Sequence, residues 1–91
     1  MTDDLRGRMD RALREARLAA FPPGEYAEQE SFMRASEIVG LARRAGIGPA
    51  VRVLDLCCGI AGPGRLITRE LGCDYLGVDA SPAAVAIARR R

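Results

Sequence analysis

Residues 51–62, VRVLDLCCGIAG, decide the fold. A run of valine and leucine ends in a carboxylate, Asp55, then breaks into small residues and glycine. A second apolar run, Tyr75 to Val78, ends in another carboxylate, Asp79, 24 residues after the first. Strand, glycine-rich turn, helix, strand, acid is the order in which an α/β sheet builds a nucleoside pocket. The first run predicts a strand over 51–56, buried on both faces because it is almost continuously apolar, as parallel strands are. Residues 57–62 form the turn. Pro63 suits the first turn of a helix that runs to Leu71, with Gly72 as its stop. The second strand is expected over 75–79. Ser81 and Pro82 then cap and open a last helix toward Arg91.

Working backward, residues 3–20 carry Leu5, Met9, Leu13, Ala16 and Ala20 at helical spacing, and Phe21-Pro22-Pro23-Gly24 ends that helix. Its arginines 6, 8, 11, 14 and 17 alternate with Asp3, Asp4, Asp10 and Glu15, the pattern of a solvated, ion-paired face. Residues 25–30, EYAEQE, read as a polar link. A second helix is expected over 31–45, with Phe32, Ala35, Ile38, Val39, Leu41 and Ala42 on its apolar face and Gly46 closing it.

Composition narrows the function. The 91 residues make one small domain or part of one, with a thin core. A net charge of +2 is too weak for a nucleic-acid partner. The three cysteines form no CxxC pair and histidine is absent, so no zinc site is expected. An odd cysteine count without a signal peptide suits a reducing cytoplasm. No apolar stretch nears the ~20 residues of a membrane span.

The chemistry sits at the strand tips. A chain that turns sharply beneath a ligand needs small residues, and Gly59, Ala61, Gly62 and Gly64 are expected to supply the freedom. Asp55 closes a buried strand and needs a donor or a cation as partner. Asp79 is placed to accept hydrogen bonds from vicinal ribose hydroxyls. A pyrophosphate beside Asp55 would set like charges together, whereas a cationic ligand group would be attracted.

VLDLCCGIAGPG followed by YLGVDAS resembles the Class I S-adenosylmethionine-dependent methyltransferases. The resemblance implies an α/β, Rossmann-like methyltransferase fold, of which these residues are the N-terminal portion. A helical leader or lid (1–50) precedes the first βαβα of a parallel cofactor-binding sheet (51–91). It implies S-adenosylmethionine as cofactor, a small molecule as methyl acceptor, and the following roles. Asp55 lies near the methionine amino group, Cys57, Cys58 and Gly59 form the loop, Asp79 holds the ribose, and Ala80 lies against adenine. More loosely it points to Arg34 for the cofactor carboxylate and Tyr26 for closing the site. Cys57 and Ala61 stand where the family's first and third motif glycines are usual.

No residue here is assigned a catalytic role, because the acceptor half and any base are expected from strands beyond residue 91. The chain therefore reads as part of a longer enzyme, inactive alone, whose open sheet edge invites pairing with another copy. Two other readings share the layout. One is an NAD(P)-dependent oxidoreductase, against which the glycines run G-x-x-G-x-G from Gly59 and not G-x-G-x-x-G. The other is a non-catalytic half-domain that binds a nucleoside.

Overall fold

The computed structural model describes residues 2–91. Four helices and two strands follow in the order α1 (Asp3–Ala20), α2 (Ala35–Arg44), β1 (Arg52–Leu56), α3 (Gly62–Leu71), β2 (Asp74–Val78) and α4 (Pro82–Arg90). The strands pair in parallel, with Arg52 opposite Asp74, Val53 opposite Tyr75, Asp55 opposite Gly77 and Leu56 opposite Val78. The second strand thus starts one residue earlier than expected, and Asp79 lies just past its end.

The core lies between α2, α3 and the inner face of this sheet. Ala42, Ile67 and Cys73 form its centre, with Ile38, Ile47, Val53, Leu71 and Tyr75 packed around them. The opposite face is bare: Leu54, Leu56, Leu76 and Val78 are 61%, 69%, 62% and 40% exposed. The expectation that β1 is buried on both faces is therefore corrected. Helices cover one side only among the described residues, so side chains alternate between half-buried and exposed along both strands.

Helix α2 begins four residues later than its apolar pattern predicts. Its start is fixed by acids. The Glu25 carbonyl accepts the Ala35 N–H at 2.9 Å, its carboxylate accepts the Ser36 N–H at 2.8 Å, and Glu37 accepts the Arg34 N–H at 3.0 Å. These bonds satisfy N–H groups that a helix start leaves unpaired. Phe32 consequently falls outside the helix and is 93% exposed, not part of its apolar face.

Helix α1 forms as expected, with Thr2 Oγ1 accepting the Leu5 N–H at 3.2 Å. None of its residues is buried, and its apolar stripe, Leu5, Met9 and Leu13, faces solvent. Arginines tether it: Arg14 pairs with Glu28, and Arg17 donates to the Glu30 carbonyl at 2.9 Å. The expected solvated face holds for Arg8, which meets Asp4 at 3.6 Å. This outlying helix and the bare sheet face enlarge the molecule. The radius of gyration is 14.1 Å, against about 12 Å for a compact domain of this length. The accessible surface is 6603 Å², against about 5,200 Å² for a compact monomer of this mass. No described helix is long and apolar enough to cross a membrane.

Residues 25–30 are more than a polar link. Gln29 is the most buried side chain, 1% exposed. Its amide donates to the carbonyls of Glu25 (2.9 Å) and Met33 (2.8 Å), and its oxygen accepts the Ala27 N–H. A buried amide is stable only when so satisfied. Gln29 thereby folds the segment around itself.

Candidate cofactor site at the strand tips

Cys57–Ala61 joins β1 to α3, and its backbone is strained at three places. Cys57, Gly59 and Ala61 have φ of 61°, 57° and 62°, in the left-handed region. Only Gly59 takes that conformation without steric cost; a residue with a Cβ there costs about 1–2 kcal/mol. Gly62 and Gly64 do not have positive φ, so they do not supply the freedom expected of them. They allow close approach instead. A Cβ on Gly62 would lie 2.6 Å from the Glu28 carbonyl oxygen, and one on Gly64 would lie 2.5 Å from Cε2 of Tyr75.

The loop is held from several sides. The Cys58 N–H donates to the Val78 carbonyl at 3.0 Å, extending the sheet ladder by one bond. The Gly59 N–H donates to Asp79 Oδ2 at 2.9 Å, and the Ser81 N–H donates to Oδ1 at 2.8 Å. These two bonds, Ser81 first and then Gly59, hold the Asp79 carboxyl below its ordinary range. Arg65 donates to the Ile60 carbonyl at 2.6 Å and to Glu28 at 3.1 Å. Glu28 also receives Arg14 and Arg91, so one carboxylate ties α1, α3 and the end of α4 together.

A cavity of ≈ 210 Å³ opens at the tip of β1, lined by Asp55, Cys57, Cys58, Gly59, Ile60, Gly62, Pro63 and the segment Glu28–Ser31. Of the residues singled out from sequence, Asp55, Cys57, Cys58 and Gly59 come together here. Asp79 stands on the other side of the loop, joined to the cavity wall through Gly59. Ala80 follows it, exposed and outside the cavity lining. Cys58 turns its thiol under the loop, near Gly77, while Cys57 is exposed.

Arg34 and Tyr26 do not line this cavity. Arg34 is the exposed residue preceding α2. The Tyr26 ring packs against Phe21 with centroids 5.7 Å apart, and it lines a second cavity of ≈ 380 Å³ beside Arg14 and Arg91. No cluster of potential metal ligands occurs among the described residues.

Sequence reasoning missed Glu28, Gln29 and Tyr75. The first two sit in a stretch whose polarity resembles any exposed link, and only tertiary packing reveals their partners. Tyr75 carried a signal: a polar-tipped aromatic two residues before a strand glycine, on the face that Asp55 shares.

Chemically, the site offers one carboxylate in a small-residue cradle and a second held rigidly across the loop. Each Asp79 oxygen has spent one lone pair and keeps another for a hydroxyl donor. Such a set suits a cation joined to a sugar better than a phosphate.

Comparison with known proteins agrees with this chemistry. No family model matches the chain, and no solved structure does. Curated proteins do. The sterol 24-C-methyltransferase of Schizosaccharomyces pombe is 51% identical over 39 residues, 43% of this chain and 10% of that protein. Those of Eremothecium gossypii and Saccharomyces cerevisiae are 49% identical over 39 residues and 41% identical over 49 residues. The matched stretch spans only about a tenth of these relatives, 10% to 13% of their length. Over those 39 to 49 residues the chain's relatives are methyltransferases, as its likeness to the Class I S-adenosylmethionine-dependent family implies.

Proposed function

We propose that this chain provides the cofactor-binding part of an S-adenosylmethionine-dependent methyltransferase acting on a small molecule. The observation that carries the proposal is the juxtaposition at the strand tips. Asp55 lines the cavity, and Asp79 grips the Gly59 N–H of the same loop from the neighbouring strand. The curated methyltransferase relatives support it. On this reading β1, α3 and β2 begin a Rossmann-like sheet over 51–91, and residues 1–50 are its helical leader. Three free cysteines suit a reducing cytoplasm.

The donor set fits the cofactor. The Asp55 carboxylate would meet its ammonium and sulfonium end, the backbone of Cys57–Gly59 its middle, and Asp79 its ribose, with Ala80 beside the adenine. The cavity of ≈ 210 Å³ is smaller than the roughly 300–1,000 Å³ of whole ligand sites. It therefore suits the amino-acid end, and the nucleoside would extend over Gly59 toward Asp79. When bound, the sulfonium supplies an activated methyl group, and the protein's task is chiefly to align it with a nucleophile. Here the chain's own contribution is charge and position. Asp55 neutralises the cation, and Asp79, fixed by two backbone N–H groups, orients the sugar without needing to reorganise.

Isothermal titration with S-adenosylmethionine, S-adenosylhomocysteine and NAD tests the proposal. Binding of the first two, lost in Asp55→Asn and weakened in Asp79→Asn, is expected. Preference for NAD, or no binding by the folded protein, overturns it.

A further inference from the structure

Tyr75 lies outside the cavity, yet its hydroxyl reaches the cavity's carboxylate. The pairing register sets Tyr75 opposite Val53 and Gly77 opposite Asp55. Tyr75 is thus one same-face step, about 6.6 Å along the strands, behind Asp55. To reach it the phenol must lie along the sheet toward the strand tip. Two glycines open that path. A Cβ on Gly77 would lie 2.8 Å from the Tyr75 oxygen, and one on Gly64 of α3 would lie 2.5 Å from Cε2 of the ring. The hydroxyl then donates to Asp55 Oδ2 at 2.6 Å, the length of a charge-assisted bond. Burial first, and the Asp55 carboxylate second, push the phenol well above its ordinary range, so it remains a protonated donor. Asp55 Oδ1 has no hydrogen-bond partner among the described residues.

We infer that Tyr75 is a positioning residue for the amino-acid end of the cofactor: its hydroxyl locks one oxygen of Asp55 and thereby presents the other to the cation in the cavity. The inference rests on the methyltransferase reading and deepens it at one contact. The side chain that touches ligand is Asp55; Tyr75 acts only through it. Gly64 and Gly77 serve the same arrangement, since each makes room for the ring or the hydroxyl. A tyrosine that merely filled the core would need only some acceptor for its hydroxyl. Here the acceptor is the one carboxylate side chain of β1, and it lines the cavity.

The test compares ligands with and without the amino-acid end: S-adenosylmethionine and S-adenosylhomocysteine against 5′-methylthioadenosine. Tyr75→Phe is expected to weaken the first two by about 5- to 20-fold, the loss of one hydrogen bond to a charged group. Methylthioadenosine should bind the variant within twofold of wild type. In an Asp55→Asn background, Tyr75→Phe should add nothing further. Equal weakening of all three ligands, no weakening of any, or a full effect in the Asp55→Asn background overturns the inference while leaving the methyltransferase reading intact. Failure of the folded wild-type protein to bind any of the three overturns both. If Tyr75→Phe does not fold, the Tyr75 ring-carbon resonance of the wild-type protein is followed instead. It should shift with S-adenosylmethionine and not with methylthioadenosine; a shift with both, or with neither, overturns the inference.

Discussion

Replacing Cys57 by glycine should stabilise the protein, and replacing Ala61 should not, although both occupy the same left-handed conformation, φ of 61° and 62°. A Cβ in that conformation costs about 1–2 kcal/mol. Glycine relieves the cost but enlarges the unfolded ensemble, returning about 0.4–1 kcal/mol. Cys57 is exposed, so little burial is lost and the net gain is about 0.5–1 kcal/mol. Ala61 is only 8% exposed, and deleting its buried methyl forfeits about 0.8 kcal/mol, which cancels the relief. Urea and thermal unfolding report the difference. For a chain of this size Cys57→Gly corresponds to a rise of about 2–8 °C in Tm, with Ala61→Gly close to zero. Cys57→Ser keeps the Cβ and removes the thiol, so it should leave stability unchanged. A Cys57→Gly protein no more stable than wild type, or a Cys57→Ser protein stabilised equally, would refute the strain argument.

Three further outcomes follow from the contacts described. Gln29→Ala strips partners from the Ala27 N–H and the Glu25 and Met33 carbonyls, and should cost about 2–4 kcal/mol in urea unfolding. Gln29→Glu, which turns a carboxylate toward two carbonyls, should cost at least as much. The carboxyls of Glu25 and Asp79 are held below their ordinary values of 4.5 and 3.8, Glu25 by the Ser36 backbone and hydroxyl and Asp79 by the Ser81 and Gly59 N–H groups. Their contribution is fully present above those values and is lost as pH falls through the lower native ones. Acid unfolding followed by circular dichroism should therefore flatten below about pH 4.5 in Glu25→Gln and Asp79→Asn. Glu28→Gln removes the shared partner of Arg14, Arg65 and Arg91. Amide exchange in α1 should accelerate several-fold while exchange in β1 and β2 stays slow; unchanged α1 protection would count against the tether.

The fold of residues 51–91 was legible because its determinants are local. Asp55, the small-residue turn, Pro63, Gly72, Ser81 and Pro82 each state a backbone need where they stand, and the helix and strand boundaries follow to within a residue. The mechanism of the turn was less legible. Spacing alone does not say which small residue bends and which makes room. It is Cys57 and Ala61 that bend with Gly59, while Gly62 and Gly64 admit Glu28 and Tyr75. Around the site, Asp55 and the Cys57–Gly59 loop were legible as motif. Glu28, Gln29 and Tyr75 were not, since their roles arise from partners 14 to 63 residues away or from burial that only tertiary packing creates. The late start of α2 has the same origin: Glu25 and Glu37 outcompete an apolar spacing that continued back to Phe32.

The outer face of the sheet carries a practical consequence for anyone handling the protein. Leu54 and Leu56 stand rung by rung beside Leu76 and Val78, all of them wetted. Aliphatic area of that kind is driven out of water more strongly on warming and in sulfate or phosphate buffers. The molecule should bind hydrophobic dyes while fully folded, and its sedimentation should depend on concentration. A polar replacement such as Leu54→Thr or Leu56→Thr should raise its solubility ceiling without disturbing the cradle on the other side.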